Sequence, residues 1–204
     1  NFSLTLKGEF SKANLPEIKA NFDIVKGGLR NKKLNVNCQN ITLKGSYSNG
    51  ENRNSKTSQL KIDNFSLKLN NGFFEGRLLV SDFSDIKIDA EVKTSLMLED
   101  IKPFLKQDSL QVLKGNISAN LKIKTKIQDF NSLICSGKAK IKNFGFKDLR
   151  LPLVVVDNMS CDITFDNKKI LIEQLFALFN SERLKASAII QDKKIKADVD
   201  LSRY

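Results

Sequence analysis

The 204-residue chain contains no histidine and no tryptophan, and it has only two tyrosines, three prolines and three cysteines. Without histidine, a cysteine–histidine nucleophile pair has no base and zinc loses one of its two main ligand types. No glycine-rich loop precedes a helical pattern, so a phosphate-binding loop is not indicated. Acid–base chemistry would fall to carboxylates such as Asp63, Asp85 or Asp162, which lie at polar or turn positions. We therefore expect no enzyme activity, no metal and no cofactor.

Long hydrophobic runs are also missing. No apolar stretch approaches the ~18 residues of a membrane span, and no signal-peptide pattern occurs. The first residue is Asn1, so we expect a segment of a longer protein whose targeting element and anchor lie outside it. Hydrophobic residues at 41% and charged residues at 28% are typical of a folded domain.

The cysteines are odd in number and widely spaced. Cys135 and Cys161 fall on the apolar phase of their segments, where a small hydrophobic side chain fits. We expect both to be poorly accessible thiols. One disulfide involving Cys38, Cys135 or Cys161 is left open, because the sequence does not choose a pair.

Lysine and arginine number 34 against 23 acidic residues, a net charge of +11. A solvated lysine face on many strands explains this excess most simply. Attraction to anionic lipid headgroups is the second explanation, and nucleic-acid binding is the third. Nucleic-acid readers interleave arginine and exposed aromatics with lysine, whereas here lysine dominates, tryptophan is absent and only two tyrosines occur. We therefore expect no nucleic-acid partner.

The stretch 115–146 shows the organising pattern most clearly. Ile117, Ala119, Leu121 and Ile123 alternate with polar residues, and the alternation restarts at Leu133 after a polar connection over 128–132. A period of two places successive side chains on opposite faces of a strand. The stretch therefore predicts a long antiparallel hairpin with one apolar face and one lysine-rich face.

The same unit recurs along the whole chain, giving about a dozen strands in sequence-local hairpins. We predict an all-β fold, a long, strongly curved antiparallel sheet that forms an open hydrophobic groove over a single unit, residues 1–204. A change of phase near Asn40 predicts a bulge. The polar run at 49–58 predicts a loop, and helical spacing with Pro103 predicts one short helix near 97–107.

Several segments resemble the AsmA-like family, which includes TamB-type proteins. They are the hairpin LNNGFFEGRLLV at 69–80, the segment LKGNI at 113–117 after the short helix, and the paired strands at 159–166 and 170–172. The resemblance covers roughly residues 60–201. It implies a groove of long antiparallel strands that moves phospholipid between the membranes of a Gram-negative envelope. It also implies a periplasmic location, an inner-membrane anchor outside this segment and envelope protein partners.

We therefore expect a non-enzymatic lipid-transfer segment whose apolar face shields phospholipid acyl chains. The alternative is a structural or adhesive β-sandwich scaffold with a closed core. The predicted lipid-binding residues occupy the apolar phase of their strands: Phe22, Ile24, Val36, Ile62, Ile88, Ala90, Val92, Ile117, Ala119, Leu121, Ile123, Leu133, Cys135, Ala139, Ile141, Ile163, Ala197 and Val199.

Overall fold

The computed structural model describes residues 1–9, 15–32, 36–105, 110–148, 150, 155–180, 182–192 and 194–202. Strands account for 80% of the structure and form one antiparallel sheet that does not close into a barrel. The predicted all-β fold with an open, curved sheet is confirmed. The strand content follows from the alternating pattern, which recurs in each strand.

Twelve strands follow one another along the chain. They are β1 Phe2–Lys7, β2 Glu17–Asn31, β3 Val36–Ser48, β4 Gln59–Leu69, β5 Gly72–Ser81, β6 Lys87–Met97, β7 Leu110–Lys126, β8 Asp129–Asp148, β9 Val155–Asn167, β10 Lys169–Phe179, β11 Glu182–Gln191 and β12 Lys194–Ser202. Their order in the sheet equals their order in the sequence, from β1 at one edge to β12 at the other. Within the described residues all twelve strands belong to one sheet, so the two-sheet sandwich of the alternative prediction is not formed.

The central hairpin is formed by β7 and β8, which are 17 and 20 residues long. Ile117 pairs with Ile141 and Ala119 with Ala139, as the alternation predicts. The connection is shorter than predicted. Strand pairing already resumes at Asp129, opposite Lys126, because a register shift absorbs the phase change before the turn.

Bulges recur across the sheet. At Asn40 the register shifts in the pairing of β3 with β2 and also in its pairing with β4, which confirms the bulge predicted there. Further shifts occur near Asn143 in β8, Asn158 in β9 and Gln174 in β10. All four residues have φ between 50° and 52°. Because an extra residue in one strand bends it and increases its local twist, these bulges contribute to the curvature of the sheet.

A short helix follows β6, within the predicted range 97–107. It comprises α1, Leu98–Ile101, and a 3₁₀ turn over Lys102–Phe104, where Pro103 is tolerated near the N-terminus. Residues 106–107 of the predicted range lie outside the described residues. Leu98 is buried, and Ile101 packs against a cluster of Val36, Leu69 and Leu96. The helix therefore covers one end of the sheet.

The loop predicted at 49–58 connects β3 to β4. The Asn49 side chain is buried; its Oδ1 accepts from the Ile18 amide at 2.9 Å and its Nδ2 donates to the Pro16 carbonyl at 2.8 Å. The Ser58 hydroxyl, also buried, donates to the Asn54 carbonyl at 2.8 Å. The loop is thus held to the start of β2 by hydrogen bonds.

Candidate functional site

Strand register divides the side chains into two faces. Residues directly opposite each other in neighbouring strands share a face, and successive residues along one strand alternate. All of the predicted lipid-binding residues lie on the same face by this criterion. We call it the apolar face, and the opposite one the polar face.

The apolar face runs without interruption from one edge of the sheet to the other. One row of paired residues starts at Phe2 in β1 and reaches Cys135 in β8, through Phe22, Gly45, Ile62, Leu78, Ala90 and Ile123. A second row connects β7 to β12 through Ala119, Ala139, Ile163, Ile172, Ala188 and Ala197. The twelve strands at about 4.8 Å spacing make this face about 50 Å wide along the sheet.

Exposure varies along the apolar face. The predicted residues in β6 and β7 are buried or half-buried, with Ala90 only 8% exposed. Val36 is buried at 4% in the cluster under the helix. Ile24 and Leu133 are exposed by 43% and 44%, and Val199 near the β12 edge by 51%. Since the described residues form a single sheet, with no second sheet over this face, these side chains are shielded in that part of the chain by their neighbours on the same face and by the helix.

Several residues of the apolar face were not among the predicted site residues. Examples are Tyr47, Phe65, Phe74, Phe165 and Ala188, which strand register places there. A bulge between Ile62 and Phe65 shifts the phase within β4, which obscures its apolar set in the sequence. Most of these residues could have been found by tracing the alternation of apolar and polar residues separately before and after each bulge.

Ion pairs connect the strands of the polar face. Glu91 Oε1 lies 2.9 Å from Arg77 Nη2 and 3.1 Å from Lys122 Nζ. Single ion pairs also connect neighbouring strands: Lys93–Glu75, Lys124–Asp89 and Lys140–Asp162. Lys126 in β7 pairs with Asp85, which lies just before β6. Several lysines of the central strands are therefore neutralised by carboxylates within the sheet.

These contacts affect the ionisation of Glu91. Hydrogen bonds from Arg77 and then Lys122 lower the pKa of Glu91 to about 2, against an ordinary value of 4.5. The carboxylate therefore remains charged at any pH near neutrality. Its place between two cations on two strands ties β5, β6 and β7 together on the polar face.

All three cysteines are free thiols. Cys161 is buried and Cys135 half-buried, both on the apolar face, and burial raises the pKa of each. A raised pKa leaves little thiolate at neutral pH, which is unfavourable for nucleophilic chemistry or metal binding. Among the described residues no three His, Cys, Asp or Glu side chains come close enough to hold a metal ion.

A cavity of about 490 Å³ lies on the polar face over β6, β7 and β8. Its floor contains Ser95, Ser118 and Asn120, and Phe73 and lysine side chains form its walls. Ala119, Ala139 and Ile163 of the predicted lipid site also line this cavity, but strand register places their side chains on the opposite face of the sheet. The sheet that carries the apolar face is curved and does not close into a barrel.

Within the described residues, no helix is both long enough and apolar enough to cross a membrane. Compared with family models, with curated proteins and with solved structures, the chain has no match. The resemblance to the AsmA-like family therefore stays a prediction from the sequence.

Proposed function

We propose that this chain is a non-enzymatic lipid-binding segment whose apolar face shields the acyl chains of phospholipid during transfer. The observation that carries the proposal is the continuous apolar face of a single open sheet. In a closed sandwich a second sheet would complete the core. Here the acyl chains of a lipid complete it.

Burial of apolar surface supplies the binding energy. Each methylene transferred from water contributes about 0.8 kcal/mol, so a dozen carbons contribute roughly 10 kcal/mol before the entropy of ordering is subtracted. The hydrocarbon core of a bilayer is about 30 Å thick, so one chain spans about 15 Å. A face about 50 Å wide therefore has room for several chains end to end.

Transfer follows from the lack of directional contacts. Apolar side chains hold an acyl chain about equally well at neighbouring positions, so a chain can slide along the face across small barriers. By the AsmA-like resemblance, we place this segment in the periplasm of a Gram-negative envelope, between an inner-membrane anchor outside the segment and the outer membrane.

The test introduces a carboxylate in the middle of the apolar face. Ala119 and Ala139 lie directly opposite each other in β7 and β8, and both are half-buried. In an open face the carboxylate of Ala119→Asp or Ala139→Asp keeps most of its hydration, so the protein should remain folded. The same charge should exclude acyl chains, because an unpaired charge against hydrocarbon is strongly unfavourable.

Lys142→Asp is the control, because Lys142 is exposed on the polar face of the same hairpin and its substitution changes the charge by more. Thermal unfolding and native mass spectrometry after lipid extraction would be measured for all three variants. The proposal is supported if Ala119→Asp and Ala139→Asp remain folded but lose phospholipid while the Lys142→Asp control retains it. If the two aspartate variants unfold, the core is closed, as in the scaffold alternative.

A further inference from the structure

The cavity on the polar face combines short floor residues with long walls. Ser95 lies opposite Ser118, and Asn120 lies between Lys93 and Lys138 in neighbouring strands. Short side chains in the floor and lysines beside them leave the hollow of about 490 Å³. This volume falls within the range of small-molecule sites. We call it the polar hollow.

Charge in the polar hollow is divided between its two sides. Lys93, Lys138 and Lys140 line it on β6 and β8, while Asp162 and Glu173 line it on β9 and β10. Two of the lysines already have carboxylate partners. Lys93 pairs with Glu75 at 2.8 Å, and Lys140 pairs with Asp162 at 3.1 Å.

Lys138 and Glu173 are the lysine and the carboxylate of the hollow whose neighbours in the adjacent strands carry no opposite charge. Lys138 lies opposite Asn120 and Thr164, both uncharged, and Glu173 lies opposite Asp162, a like charge. In the part of the chain that the structure describes, neither Lys138 nor Glu173 makes an ion pair. By register they are two strands and two residues apart, roughly 12 Å between Cα atoms at ~4.8 Å per strand and ~3.3 Å per residue, and the Lys140–Asp162 pair lies beside them.

We propose that the polar hollow binds a small zwitterion, a phosphate ester that carries a primary amine. The phosphate lies against Lys138, with the hydroxyl of Ser118 and the amide of Asn120 as further donors. The amine lies against Glu173. Such a ligand supplies the opposite charge at each end, and charge-assisted hydrogen bonds are about twice as strong as neutral ones.

Phe73 lines the polar hollow on the side of β5. Lys93 Nζ lies 5.9 Å from the centre of its ring, within the range of a cation–π contact. Free phosphoethanolamine and the headgroup of an amine-bearing phospholipid share the required chemistry.

The test uses phosphoethanolamine as the probe, titrated into the whole chain by calorimetry at low ionic strength, with glycerol 3-phosphate and ethanolamine as comparisons. We expect saturable binding of phosphoethanolamine. Lys138→Gln should weaken both phosphate compounds at least tenfold. Glu173→Gln should weaken phosphoethanolamine and leave glycerol 3-phosphate unchanged, while the control Lys142→Gln should change neither.

Absence of saturable binding, or equal binding by all three variants, would overturn the proposal. Short-chain phosphatidylethanolamine below its micelle concentration separates the two sources of the ligand. If it competes with phosphoethanolamine for the site, a lipid headgroup is accommodated; if it does not, the site takes the free compound. Ala197→Asp places a carboxylate on the apolar face, away from the residues that line the polar hollow. This variant should still bind phosphoethanolamine, so this proposal and the acyl-chain proposal succeed or fail separately.

Discussion

At the scale of single residues, asparagine has a specific use in this sheet. Asn40, Asn143 and Asn158 have a left-handed conformation inside strands, and Asn70, Asn167 and Asn180 have it at turns. An ordinary L-residue pays roughly 1–2 kcal/mol for this conformation, and asparagine reduces the cost through local hydrogen bonds. Backbone geometry therefore explains the use of asparagine at these six positions.

The ion pairs of Glu91 should stabilise the fold in a way that depends on pH. The pKa of Glu91 is about 2 in the folded chain and near 4.5 when unfolded, so its ion pairs stabilise the fold fully above pH 4.5. That contribution is lost as the pH falls from about 4.5 towards 2. We expect Glu91→Gln to lower the urea midpoint at pH 7, and the difference from the unmodified chain to shrink steadily below pH 4.5.

Glu51→Gln is the matched control, because Glu51 is exposed in the loop at 49–58. Urea unfolding of both variants at pH 7, 4.5 and 2.5 would check the prediction. A destabilisation by Glu91→Gln that is the same at all three pH values would show that the carboxylate acts through packing and not through charge.

At the scale of elements, the strands could be predicted, together with the loop at 49–58 and the short helix, but the exact lengths of the hairpin turns could not. The alternation in β6, β7 and β12 is local, so each strand appears in the sequence without knowledge of its neighbours. The short turn between β7 and β8 was predicted wrongly as a longer connection. The position of this turn depends on a register shift near Lys126. The register is determined by the pairing of β7 with β8, which alternation within one strand does not reveal.

The helix α1 is the element whose role is easiest to test. Leu98 is 6% exposed and Ile101 packs on the Val36–Leu69–Leu96 cluster, whereas the adjacent Met97 is 38% exposed. Asp100 Oδ1 also accepts a hydrogen bond from Asn70 Nδ2 at 2.8 Å, which ties the helix to the turn between β4 and β5.

We expect Leu98→Ala to destabilise the chain by about 2–3 kcal/mol, because it removes buried methyl groups and leaves a cavity. Met97→Ala should cost less than about 1 kcal/mol, since that side chain is more exposed. Chemical unfolding of the two variants measures the difference. Equal costs would mean that the helix does not cover the end of the sheet in solution.

At the scale of the whole molecule, the sequence was enough to predict that the site residues share one face of the sheet. It was not enough to predict the polar hollow. Parity along each strand is enough to place Ile88 and Ile163 on apolar faces, and the sequence-local hairpins join those faces. The hollow depends instead on which short residues lie opposite which lysines, as Asn120 does with Lys138. That alignment is a property of register between strands, which alternation alone does not fix.

The native cysteines report on where acyl chains lie. Cys135 is half-buried on the apolar face, opposite Ile123. Because burial raises the pKa of Cys135, little thiolate is present at pH 8 and alkylation should be slow in the lipid-free protein. An acyl chain on the apolar face would cover the Sγ atom and exclude the reagent, so bound phospholipid should slow the reaction further, at least fivefold.

The measurement uses iodoacetamide on a Cys38→Ala, Cys161→Ala chain, with and without bound phospholipid. The control carries Ser136→Cys and has all three native cysteines replaced by alanine. Ser136 is the half-buried neighbour of Cys135 on the polar face, so its substituted thiol lies at nearly the same place in the sheet but on the opposite side. Lipid should leave the rate at position 136 unchanged. If lipid protected both thiols equally, it would act through general stabilisation of the fold; if it protected neither while bound, the acyl chains would lie away from the centre of the apolar face.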